Sequence, residues 1–80
     1  MKYPVIFEEN DDGTWGAYPP DLPGIGVTGA TRELTRERIR AAIAMHIEAL
    51  RSSGIEPPAP FTNSELVEVA KMSPSQYLTE

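Results

Sequence analysis

Apolar and polar positions alternate from the first residues. Tyr3, Val5 and Phe7 fall on one side of an extended chain, and Pro4 and Ile6 on the other. Residues 3–9 therefore predict a strand with apolar side chains on both faces. Asn10, Asp11, Asp12 and Gly13 interrupt the pattern with the residues a hairpin turn needs. Residues 14–18 predict the returning strand. The stretch Pro19-Pro20-Asp21-Leu22-Pro23-Gly24 carries three prolines, which cannot donate to a ladder, so it is a rigid connection. Residues 25–28 predict a short third strand.

The period then changes. Ile39, Ile43, His46, Ile47 and Leu50 recur at helical spacing and make one apolar stripe. Thr31 is placed to cap the helix, Glu33 and Arg51 suit its positive and negative ends, and Gly54 suits the position after it. Glu33, Glu37, Arg40, Glu48 and Arg51 lie toward solvent. Leu34, Ala41 and Met45 cluster roughly opposite the main stripe. Residues 55–60, with three further prolines, predict an extended crossing segment. Residues 66–70, Leu-Val-Glu-Val-Ala, predict a last strand at an edge or beside the first.

The order is β-β-β-α-β, an α+β fold with an antiparallel-type sheet and one helix packed on one face. One helix covers one face, and the first strand is apolar on both. A second copy or a partner protein is the expected cover for the other. A homo-oligomer is expected, a dimer or higher. Tyr3, Ile6, Leu34 and Met45 are its candidate interface residues, with the sheet preferred over the helix back. Residues 1–72 are read as one domain and residues 73–80 as a polar tail.

Composition narrows the function. The 80 residues hold 12 Asp and Glu against 7 Lys and Arg, a net charge of −5. Phosphate contacts need clustered cations, so nucleic-acid binding by this chain alone is not expected. A basic protein partner suits the charge. Cysteine is absent, and no apolar run approaches the ~20 residues that span a bilayer. A cytoplasmic protein without membrane contact is expected.

Catalytic chemistry finds no constellation. His46 is the one histidine, has no signalled partner, and sits in the apolar stripe. Glu8, Glu9, Asp11 and Asp12 form a carboxylate run, but two-metal nuclease chemistry needs carboxylates converging from several elements. Gly24-x-Gly26, with Gly29, is a weak glycine pattern that leads into a strand rather than a helix, the wrong context for phosphate binding. No catalytic residue, metal site or cofactor is expected. Trp15 and Tyr18, aromatic, and Asp21 and Leu22, in the proline-rich connection, are the candidate partner-binding residues. Asp21 reads either as an exposed carboxylate meeting a basic surface or as a side-chain cap of its own turn.

Four segments together resemble the HicB-like antitoxin family. They are Tyr3-Pro4-Val5-Ile6; Tyr18-x-Pro20-Asp21-Leu22-Pro23-Gly24; Ala42-Ile43-x-x-His46-Ile47-Glu48-x-Leu50; and Gly54-x-x-x-Pro58-x-Pro60. The resemblance covers residues 1 to about 70. It implies a fold likened to a partial ribonuclease H fold. It also implies a non-enzymatic module that neutralises a small, basic, HicA-like, mRNA-cleaving toxin by covering its active surface. Many members add a C-terminal DNA-binding module, for which the residues after the last predicted strand are too few. The alternative is a stand-alone oligomeric regulatory or ligand-binding domain without a toxin partner.

Overall fold

A computed structural model of the protein describes residues 1–70. Three short strands, β1 (Ile6–Glu9), β2 (Trp15–Tyr18) and β3 (Val27–Gly29), precede one helix, α1 (Arg32–Ser52). The sheet is antiparallel, in the order β1-β2-β3. Ile6 lies opposite Tyr18 and Phe7 opposite Ala17. Ala17 in turn lies opposite Val27. The expected α+β arrangement of three antiparallel strands followed by a helix is present.

The helix ends where its sequence signals place them. Thr31 has extended backbone, and its Oγ1 accepts the Leu34 N–H at 3.1 Å, pairing one of the free donors of the first turn. At the other end Gly54 takes φ +73°. Its N–H reaches the Arg51 carbonyl at 3.0 Å, while the Ile55 N–H reaches the Leu50 carbonyl at 2.8 Å. This paired closure satisfies the last carbonyls and needs the left-handed residue that glycine supplies.

The helix packs chiefly against β3 and β2. Phe7, Trp15, Ala17 and Gly29 sit on the covered face. The approach is close at Gly29, where a Cβ would stand 2.5 Å from the Thr35 Oγ1. Thr35 is fully buried, and its hydroxyl donates to the Thr31 carbonyl at 2.7 Å, so the polar group is satisfied inside the core. The Arg32 guanidinium lies 4.4 Å from the Phe7 ring centre and 5.9 Å from a Trp15 ring, tying the first helical turn to the sheet. The core is small: Ala17, Leu22 and Ile39 are its buried hydrophobic residues.

One expected element is not formed. Residues 55–70 contain no strand, and Leu66, Val67 and Val69 are largely or fully exposed. Alternating apolar residues become a strand only beside an open ladder, and this segment runs along none. The radius of gyration is 17.1 Å, against about 12 Å for a compact chain of this length. The tail expected at residues 73–80 lies outside the described residues.

Candidate functional site

The helix covers one face of the sheet, and the alternation of β1 and β2 assigns the other. Ile6 and Tyr18 are directly opposite each other and each is 39% exposed. Glu8 and Gly16 form the next pair on that face. Glu8, Gly16, Tyr18, Gly26 and Thr28 outline a shallow hollow of about 420 Å³ beside Ile6. An aliphatic and an aromatic side chain side by side, with a carboxylate next to them, form a surface suited to a protein partner rather than to a small ligand.

The turn at one end of this face is built from acids. Asp12 accepts from the Thr14 N–H at 2.9 Å and from the Thr14 hydroxyl at 2.7 Å. These two bonds, the hydroxyl's first, hold the Asp12 carboxyl below its ordinary value of 3.8. Asp11 and Asp12 are exposed, so the hairpin presents negative charge beside the open face.

The proline-rich connection behaves differently. Asp21 is 2% exposed. One carboxylate oxygen accepts the backbone N–H groups of Phe61 (2.8 Å) and Thr62 (2.9 Å), and the other accepts the Thr62 hydroxyl. Burial pushes its carboxyl up, but the three bonds, led by the Thr62 hydroxyl, outweigh burial and hold it below 3.8. Asp21 is thus neither the exposed carboxylate nor the local turn cap that the sequence left open. It clamps a segment 40 residues away. Leu22 beside it is 1% exposed. Asp21 and Leu22 are interior residues, and their burial withdraws them from contact with a partner.

The remaining candidates are spread over the molecule. Trp15 is half-buried on the helix face. Tyr3 is half-buried, and its hydroxyl donates to the Pro58 carbonyl at 2.5 Å, fastening the crossing segment at the foot of β1. Leu34 is half-buried and Met45 is 71% exposed. Of the eight residues singled out, only Ile6 and Tyr18 meet on one open face. Glu8 belongs with them, a placement that strand alternation alone signals. His46 is half-buried in the stripe.

A second concave feature was not foreseen. The helix is about 31 Å long and the strands about 13 Å. Its stripe therefore overhangs the sheet beside β1 and leaves a groove of about 920 Å³ between them. Val5, Ile43 and Ile47 line it, with Arg36, Arg40 and Arg51 around them. The spacing of these arginines along one side of the helix was the available signal. Among the described residues no group of three or more acidic or histidine side chains is placed to hold a metal, and no helix is long and apolar enough to cross a membrane.

A curated relative, the UPF0150 protein Ta0767 of Thermoplasma acidophilum, is 37% identical over 51 residues, covering 64% of this chain and 74% of the relative. No solved structure matches the chain. The family described as the HicB-like antitoxin of bacterial toxin–antitoxin systems matches residues 3–76, from the foot of β1 to beyond the crossing segment. With nearly its whole length matched, the chain belongs to the HicB-like antitoxin family.

Proposed function

We propose that the chain neutralises a small, basic, HicA-like toxin by laying its open sheet face over the surface with which the toxin engages mRNA. The observation that carries this reading is the exposed Ile6 and Tyr18 pair, on a face the helix leaves bare. An enzyme that cleaves mRNA must present cations to phosphates. A face with Glu8 on it and Asp11 and Asp12 at its end complements such a surface, and the net charge of −5 speeds the encounter. The apolar pair supplies the desolvated centre that acidic residues alone do not. The chain acts by occlusion, non-enzymatically and without a cofactor.

The test is inhibition of RNA cleavage by a purified HicA-like toxin, titrated with the purified protein. The wild type suppresses cleavage stoichiometrically. Ile6→Glu and Tyr18→Ala each weaken toxin binding about tenfold or more, with circular dichroism unchanged. Met45→Glu, on the helix away from this face, leaves it unaffected. Full suppression by a folded Ile6→Glu protein would remove the open face from consideration.

A further inference from the structure

We propose that residues 65–69 of one copy of the chain enter the groove between β1 and α1 of a second copy and add a strand to the outer edge of β1. The contact uses the helix side and the sheet edge rather than the open face, so it stands apart from the toxin reading.

The edge is available by the sheet's own register. The Asn10 N–H donates to the Thr14 carbonyl at 2.7 Å, which makes that pair hydrogen-bonded. By the two-residue alternation of an antiparallel ladder, the pairs Glu8–Gly16 and Ile6–Tyr18 are hydrogen-bonded too. The backbone groups of Phe7 and Glu9 then point away from β2. Among the described residues nothing pairs them. The opposite edge differs, because the Thr28 carbonyl there accepts Arg38 Nη1 at 2.8 Å. Among the described residues one edge of the sheet is capped and the other is open.

The arm complements what lies beside that edge. Extended, Glu65-Leu66-Val67-Glu68-Val69 puts Glu65, Val67 and Val69 on one side. The groove offers aliphatic Val5, Ile43 and Ile47 to the valines and Arg36, Arg40 and Arg51 to the carboxylate. Ile43 and Ile47 belong to the helix stripe, yet three strands leave them only half-buried. A fourth strand completes their cover.

The occupant comes from another copy because of the path the chain takes. Pro58 is held at the foot of β1 by Tyr3, and Phe61 and Thr62 are already held by Asp21, in the connection from β2 to β3. The chain thus crosses away from the outer edge of β1. Residues 55–70 contain no turn or bend that reverses it, and among the described residues none after Arg51 lines the groove. The arm leads outward, with Leu66 fully exposed. Reciprocal exchange of two arms closes a twofold dimer.

The full-length protein is tested by light scattering coupled to size exclusion. The wild type runs as a dimer. Val67→Asp with Val69→Asp weakens the dimer by about tenfold or more per residue and leaves a folded monomer. Arg36→Glu with Arg40→Glu, which alters the groove alone, does the same. Mixing the two variants restores dimers, because the intact groove of the first accepts the intact arm of the second. Such complementation is impossible if the arm folds onto its own chain. A monomeric wild type, an undiminished dimer in the arm variant, or a mixture that stays monomeric would each overturn the proposal.

Discussion

The two connections of the sheet hold their acids in opposite ways. The turn from β1 to β2, residues 10–14, is exposed and satisfies itself. Asp12 bonds Thr14, Asn10 Nδ2 donates to Thr14 Oγ1 at 3.0 Å, and Gly13 supplies the positive φ of 88°. The connection from β2 to β3 is interior at its centre, with Pro19, Asp21 and Leu22 buried, and it spends its carboxylate on Phe61 and Thr62. Both are Asp-containing turns in sequence. The first organises itself, while the second fastens the C-terminal crossing to the body. Damage to the first stays local, and damage to the second spreads.

The largest effect belongs to Leu22. Truncating a fully buried leucine removes its transfer free energy and leaves a cavity, at a cost of about 2–5 kcal/mol. Total stability at this size is about 4–12 kcal/mol. Leu22→Ala is therefore expected to lower Tm by about 10 °C or more in thermal unfolding followed by circular dichroism. A loss comparable to that of an exposed residue would mean that the second connection is not part of the core.

Asp21 sharpens the contrast. Asp21→Ala leaves the Phe61 and Thr62 N–H groups without their acceptor, and amide exchange at both is expected to accelerate while the helix stays protected. Asp21→Asn keeps an oxygen for the two N–H groups and turns its amide toward the Thr62 hydroxyl, so most of that protection returns. The charge is what it loses. Because the folded carboxyl lies below 3.8, its stabilisation is complete above that value and is lost as pH falls through the lower, folded value. Tm measured from pH 6 downward is expected to fall less steeply below pH 3.8 for Asp21→Asn than for the wild type. Parallel curves would show that the clamp works without its charge.

This difference explains what was legible in the sequence. The hairpin and the helix bounds were, because Gly13, Thr31 and Gly54 act within a few residues of themselves. The clamp was not, because nothing in a Pro-Asp-Leu-Pro string names an acceptor's donors 40 residues on. Thr35 was missed for a related reason. A threonine reads as surface until its hydroxyl is seen to be paired within its own helix, where a glycine at position 29 lets the sheet come close. Residues 66–70 have strand composition, but composition cannot supply the neighbouring edge. On the open face, period two in β1 pointed to Ile6, while the match of Ile6 to Tyr18 depended on the register of a turn.

The smallest effects belong to the first turn, and they test whether it is as local as it looks. A Cβ at Gly13 meets no atom within 4 Å, so Gly13→Ala is a purely conformational change. Holding alanine at φ +88° costs about 1–2 kcal/mol, and Tm should fall accordingly with no change at Phe61 or Thr62. Asp12→Asn should cost less still. Asparagine keeps an oxygen for the Thr14 N–H, and water reaches this exposed site to replace what is lost. Its mark is again in acid: the Asp12 carboxyl also lies below 3.8, so it adds a loss of stability of the same sign as pH falls. In the double variant with Asp21→Asn the two acid responses should add, because the sites share no partner. Non-additivity would mean that the hairpin and the clamp communicate through β2, and that the two connections are one structure rather than two.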